Sequence, residues 1–402
     1  MRSLSRLNIL LMDFGVSSAF WLIFASFMTY VYESTHSIFL LSILILIKNI
    51  VLAIILLLLN YVNVRLYFRK LMNIAYLVLV FIILFMIFYN SIESIILIFI
   101  LFIVFETVFM IHNILKYNAV IFIDDKKVEF INLMYELSYS IFMILGSIYA
   151  ILLLRISLPT YVLTLALIIL SFFFFNRIKL DNNIQFDGSS AIYENSFRKL
   201  LILLLLADFL VAAGENIAYI LLPPIANFYV YNSKEGYSIS LLIFGLGSLM
   251  ASVLLLSKPG LILRNYFWIF VFVVYSLFPA SMILSIILEE HAKVIFAIGN
   301  TLAGFANSYL MLFFTSLYQR IGKEEFKKIY GIAYLLISIA ASISTLTVGF
   351  AYESLGIYNT LFLSTALLAF TIPLMIFLNN HYRRLVIEDM KYEEISYYGF
   401  SS

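Results

Sequence analysis

Twelve times along this chain a mostly apolar stretch runs long enough to cross a bilayer before a charged or turn-forming break interrupts it. Such a crossing takes about 20 residues of α-helix. The approximate spans are 8–30, 38–60, 71–89, 93–115, 129–153, 158–176, 200–222, 237–256, 266–288, 294–318, 329–351 and 358–379. Hydrocarbon offers no partner to a backbone amide, so each run has to satisfy its own hydrogen bonds, and the helix does that within a single segment. Composition agrees. Hydrophobic residues make up 64% of the 402 and charged residues only 12%, against roughly 25% charged in soluble domains, and mean hydropathy is +1.05. The expectation is an all-α multi-pass membrane protein with twelve transmembrane helices and the lipid bilayer as its first partner.

Several chemistries drop out early. The chain has no cysteine, so thiolate metal sites and nucleophiles are absent, and its four histidines form no His-x-x-x-His pair. Neither a metal nor any other cofactor is expected. A net charge of +2 gives no reason to expect nucleic acid as a partner. The N-terminal "MRSLSRLNILL" begins like a signal peptide, but its apolar run continues without a small-residue cleavage site. It reads as a retained first helix.

Lysine and arginine set the orientation. Of the 25 basic residues, 21 fall at one set of helix ends, among them Arg2, Arg6, Arg65, Arg69, Lys70 and Lys116. The opposite ends hold Arg155, Lys234 and Lys293, and only Lys48 lies within a span. A frame shift of one helix would scramble this asymmetry, so it supports the count of twelve and places both termini in the cytoplasm of a cell-membrane protein.

The longest polar interruption before the tail is "NRIKLDNNIQFDGSSAIYENSFRK" at 176–199, and it divides the chain in two. A six-helix bundle at 1–176, a cytoplasmic linker at 177–199, a second bundle at 200–380 and a cytoplasmic tail at 381–402 follow, with the tail read as a frayed extension. The halves repeat. "RLNILLMDFGVSSA" at 6–19 parallels "KLLILLLLADFLVAAG" at 199–214, and "TYVYES" at 29–34 parallels "FYVYNS" at 228–233. Helix 7 carries extra residues around "LLPPIAN", where Pro223 and Pro224 are expected to break the helix. Internal repeats with interrupted helices are a mark of secondary transporters.

Six plus six helices, a central linker and a repeat of helix 1 in helix 7 resemble the major facilitator superfamily over essentially the whole chain. The loop after helix 2, "NYVNVRLYFRK", keeps the basic positions Arg65, Arg69 and Lys70 of that family's motif, with Asn60, Val64 and Tyr67 where Gly, Asp and Gly usually sit. Helix 5 has Gly146 followed by Ser147, unlike the Gly-Pro of the drug-proton antiporter branch, while "GFAYESLGIYNTLF" at 349–362 looks like the family's usual exit from helix 11. The resemblance implies two pseudo-symmetric six-helix bundles. It further implies that helices 1, 4, 7 and 10 line a central cavity, that 2, 5, 8 and 11 flank it, and that 3, 6, 9 and 12 face lipid.

Charge in the membrane costs roughly 2.5 to 3.5 kcal/mol per group on insertion scales and marks functional sites. Near the bilayer centre it is found at Asp13, Lys48, Glu106, Glu136, Asp208 and Glu215, and none of these lies in helices 3, 6, 9 or 12. Lys48 needs an acid, so it is expected to pair with Glu106 or Glu136. Asp208 and Glu215 lie seven residues apart and so share a helix face, with Asn216 alongside. These residues, together with Asn300 and Asn307 on helix 10, are the candidates for binding a small-molecule substrate or protons. Asp13 and Glu136 are read as a gate or helix tie, with Asp208 nearer the transport chemistry than Asp13. Small residues such as Gly245, Gly247, Gly299 and Gly304 are expected to serve helix packing. His112, Trp21 and Trp268 are read as interfacial or lipid-facing.

The leading function is a monomeric secondary active transporter, working by alternating access and coupled to protons. ATP hydrolysis is disfavoured by the lack of a Gly-x-x-x-x-Gly-Lys-Ser/Thr loop. The alternatives are a membrane-embedded enzyme on a lipid-linked substrate, for which the acidic pair Asp124 and Asp125 in "IDDKKVEF" is the suggestive feature, and a non-transporting receptor or scaffold on the same fold.

Overall fold

Every described element is helical. The computed structural model describes residues 2–35, 37–61, 64–88, 95–121, 128–153, 158–178, 194–233, 235–258, 267–322 and 326–397. Its long helices are α1 (Arg2–Thr35), α2 (Ile38–Tyr61), α3 (Val64–Phe88), α4 (Ile95–Ile121), α5 (Val128–Leu153), α6 (Leu158–Asn176), α7 (Glu194–Pro224), α8 (Gly236–Ser257), α9 (Phe267–Ile287), α10 (Ala292–Gly322) and α11 (Phe326–Tyr397). Among the described residues nine helices are long and apolar enough to cross a membrane, and the shorter apolar stretches Leu11–Phe24 and Leu97–Asn113 lie within α1 and α4. Large apolar side chains point outward from them, with Phe81 69% exposed and Phe362 68% exposed. Only a hydrocarbon solvent makes such a surface favourable, and the protein is a multi-pass membrane protein.

α11 has 72 residues, which as one straight rod would measure about 108 Å, several times a bilayer's hydrocarbon core. The rod is broken at Gly356, whose backbone takes φ 79 and ψ 174. Only glycine holds that conformation without steric cost, and the break separates the arms 326–355 and 357–397. The expected spans at 329–351 and 358–379 therefore lie on either side of this glycine.

Three boundaries differ from the sequence reading. α3 begins at Val64, so Arg65, Arg69 and Lys70 lie on its opening turns and the connection from α2 shrinks to residues 62–63. α7 begins at Glu194, ahead of the expected span at 200–222; residues 179–193, most of the expected linker, lie outside those described. The tail is helical to Tyr397. Leu, Glu, Met, Lys and Arg are good helix formers, and no proline or glycine interrupts them from 381 to 397.

The proline pair does not open the helix to a cavity. α7 runs through Pro224 and continues as a π-helical turn, Ile225–Val230. Pro223, Pro224, Ile225 and Ala226 are all buried, so protein covers the backbone that the prolines leave without donors. The turn is anchored where Asn227 Oδ1 accepts the Tyr237 amide of α8 at 2.7 Å.

The helices pack as two sets. α1 lies against α5 and α6, α3 against α4 and α6, and α2 against α4, while α7 packs on α11, α8 on α10, and α9 on α10 and α11. The sets meet along two seams, α2 on α11 and α5 on α8. Within the second set α8 and α10 touch backbone to backbone. A Cβ at Gly247 would lie 1.9 Å from the Thr301 carbonyl oxygen, and one at Gly304 would lie 1.9 Å from that of Phe244. Small residues permit this approach.

Candidate functional site

Between the two sets lies a cavity of about 230 Å³. Most of the helices that border it contribute more than one residue from a single face. Trp21, Phe24 and Met28 come from α1, Leu44 and Lys48 from α2, Phe102 and Glu106 from α4, and Tyr139 and Met143 from α5. α7 gives Glu215, Asn216 and Tyr219, α8 gives Tyr237, Leu241 and Phe244, and α10 gives Asn307.

Lys48 and Glu106 form an ion pair across this cavity wall. Nζ lies 2.8 Å from Oε1, with the side chains 16% and 6% exposed. Of the two acids proposed for Lys48 from the sequence, the structure selects Glu106. Glu215 has no lysine, arginine or histidine within ion-pair distance among the described residues. It lies within the electrostatic reach of Tyr275 on α9 and Tyr139 on α5. Asn216 borders the cavity too, but its Nδ2, with two hydrogens to share, lies against α11, 3.0 Å from Ala341 O, 2.9 Å from Ser344 Oγ and 2.7 Å from Thr345 Oγ1, which ties α7 to α11.

The other sequence candidates are held elsewhere. Asp13 and Asp208 are absent from the lining, because each lies a few turns closer to the end at which α1 begins, here called the near end. Asp13 is about 12 Å along α1 from Trp21, and Asp208 about 10 Å along α7 from Glu215, at 1.5 Å per residue. Asp13 accepts Lys116 Nζ at 2.6 Å and the Ser17 hydroxyl at 3.2 Å. Asp208 Oδ2 accepts the Tyr318 hydroxyl of α10 at 2.9 Å. Seven-residue spacing gave Asp208 and Glu215 one face, but the cavity ends between them.

Glu136 crosses the junction between the sets. Its Oε1 accepts the Ser308 hydroxyl of α10 at 2.7 Å. Ser308 is hydrogen-bonded to Ser248 of α8, which meets Ser140 of α5 at 2.5 Å. Ser308 gives its one proton to the carboxylate, so Ser248 is the donor to Ser308, while the Ser140 hydroxyl also lies 2.8 Å from its acceptor Glu136 O. Asn300 stays out of the cavity, fully buried, with Nδ2 donating to Phe296 O at 3.0 Å. Arg69 Nη2 donates to Ile178 O at 2.8 Å, Lys70 is exposed, and the Arg65 side chain lies outside the described residues.

Several residues were misplaced or missed. Lys116 was assigned to a helix end, yet α4 runs on to Ile121 and the side chain is buried, its ammonium also 4.4 Å from the centre of the Tyr135 ring. The apolar "NAVIFI" that follows it at 118–123 was the available signal. His112 is fully buried rather than interfacial. Its Nε2 lies 3.1 Å from the Tyr76 hydroxyl, which reaches Ser171 Oγ at 2.7 Å, while Ser171 donates to Met12 O at 2.5 Å. Trp21 and Trp268 are buried too, Trp268 stacked on Phe313. Nothing in a Phe- and Tyr-rich sequence separates such rings from lipid-facing ones.

No known family's sequence profile matches this chain, and no curated protein sequence does so. The chain is similar to the crystal structure of the human organic anion transporter MFSD10 (TETRAN), with a TM-score of 0.67, 12% identity, and coverage of 93% of this chain and 99% of that one. This chain has the major facilitator superfamily fold. The cavity of this chain lies where its two helix sets face each other, and the ion pair of Lys48 with Glu106, Glu215 and Asn307 all sit at that junction. The Asp13 and Asp208 ties occupy matching places in the repeated stretches of α1 and α7, one holding α4 and the other α10.

Proposed function

We propose that this protein is a proton-coupled secondary active transporter that carries a small solute across the cell membrane by alternating access. Twelve spans arranged as two six-helix halves, with both termini cytoplasmic and the chain acting as a monomer, complete the reading. The observation that carries it is the cavity between the helix sets, which holds ionisable side chains part-way along the helices. Charge there is costly and is retained where it binds or relays something. Glu215 is the residue placed to exchange a proton, since it borders the cavity and has no basic partner among the described residues. Glu136 supplies the near-end closure, because its bond to Ser308 has to break before α5 can leave α10. The organic anions named for the human protein do not carry over at 12% identity.

The test is uptake of a metabolite panel into proteoliposomes with and without an imposed pH gradient, repeated on Glu215→Gln and Asp208→Asn. Gradient-driven uptake that is lost in Glu215→Gln is expected. Uptake indifferent to the gradient and to both substitutions would overturn proton coupling. Consumption of a lipid-linked precursor without solute movement would replace transport by membrane-enzyme chemistry.

A further inference from the structure

We infer that the central cavity takes a monovalent organic cation, an amine or quaternary ammonium carrying an apolar or aromatic group, with Glu215 as its counter-ion. The inference rests on the reading of this cavity as the transport site. Charge is the first argument. The ammonium of Lys48 is engaged by Glu106 at 2.8 Å, so this pair presents no net charge to a ligand. Glu215 has no basic partner among the described residues, so its ionised form leaves the cavity one negative charge in excess. An anionic ligand would meet that charge with no uncommitted cation to offset it.

The walls make the second argument. Trp21 and Tyr139 of the first set meet at 5.2 Å and 63°, and Tyr219 and Phe244 of the second at 5.6 Å and 67°. Rings inclined in this way present π faces round a corner, the arrangement in which aromatic cages hold ammonium groups. Glu215 is one helical turn from Tyr219 and within the electrostatic reach of Tyr139, so carboxylate and rings act on the same volume. Asn216 commits its amide hydrogens to α11, and its carbonyl oxygen, an acceptor, is what it can still offer. A bare metal cation is a poorer fit. It needs six or more oxygen ligands when hard, and no group of three His, Cys, Asp or Glu residues able to hold one occurs among the described residues. A cavity of about 230 Å³ admits one small ring with its ammonium group.

The two tryptophans make binding readable without transport. Trp268→Phe removes the one that is stacked on Phe313 and leaves Trp21 in the cavity wall as reporter. The full chain in detergent is titrated with benzyltrimethylammonium, with benzoate and with benzyl alcohol. Saturable quenching by the ammonium alone is expected, weakened at least tenfold by Glu215→Gln and partly restored by Glu215→Asp. Equal or tighter binding of benzoate or benzyl alcohol, or ammonium binding unchanged by Glu215→Gln, overturns the inference. Should Glu215→Gln not fold, Lys48→Gln decides. It frees the Glu106 carboxylate and is expected to tighten ammonium binding, and unchanged or weaker binding counts against the site. Counterflow of radiolabelled probes in proteoliposomes separates the two readings. Ammonium binding without counterflow removes transport and leaves the cation site, whereas counterflow of benzoate alone keeps transport and removes the cation site.

Discussion

The Lys116 ammonium of α4 lies 2.6 Å from the Asp13 carboxylate of α1, with side chains 3% and 0% exposed. Removing one member of such a pair strands a buried charge, at a cost of about 3 to 5 kcal/mol. Lys116→Met and Asp13→Asn are each expected to lower the unfolding temperature in detergent strongly. The double substitution is expected to recover most of the loss, because no charge is then left alone. Additive losses would show that the two groups are not coupled.

In the second helix set the matching acid, Asp208, faces the phenol of Tyr318 instead of an ammonium. That tie is a hydrogen bond to a carboxyl group, worth about 1.5 to 3 kcal/mol when the acceptor is ionised. Tyr318→Phe and Asp208→Asn are expected to cost less stability than breaking the Lys116–Asp13 pair and to leave more than half of the uptake, while Glu215→Gln abolishes it. Uptake assays on the three variants side by side check this ranking, and an Asp208→Asn defect as deep as that of Glu215→Gln would refute it.

Glu136 and Ser308 join α5 to α10 across the sets. The chain has no cysteine, so a single thiol can report on the junction without removing any other. Ser308→Ala is expected to raise severalfold the rate at which an impermeant maleimide, applied at the near end, labels Met143→Cys in the cavity wall. An unchanged rate would mean that this hydrogen bond does not hold the junction closed.

The crossing of α8 and α10 leaves no room for a methyl group at Gly304, where a Cβ would lie 1.9 Å from the Phe244 carbonyl oxygen. Backbone cannot rotate aside as a side chain can. Gly304→Ala is expected to destabilise the protein by about 1 to 3 kcal/mol, read as a lowered unfolding temperature, and Gly304→Val by more. No change in either variant would refute this backbone contact.

Much of the candidate site was legible residue by residue. The apolar runs located the helices, and the rarity of charge within them singled out Lys48, Glu106, Glu136 and Glu215. Lys48 could be restricted to two acids, and packing then chose Glu106. The errors have two causes. Lys116 is expected at a helix end because the apolar run is cut short before α4 reaches Ile121, whereas His112 and Trp21 are expected to face outward because hydropathy averages over a window and does not report which side of a helix meets a neighbour. Asp208 was ranked beside Glu215 because they share a face, while depth along the axis separates them.

The sequence by itself determined that this chain is helical and membrane-embedded, because runs of about 20 apolar residues have no other stable form in hydrocarbon. It also determined that two stretches repeat, with an acid at the same place in each. Only the tertiary structure decided that Asp13 meets Lys116, that Asp208 meets Tyr318, and that Glu215 is the acid of α7 that borders the cavity. Helical periodicity fixes directions within one helix. The rotation and sliding of helices against one another come from side-chain packing and close contacts such as that at Gly304, and these decide which carboxylate finds a partner.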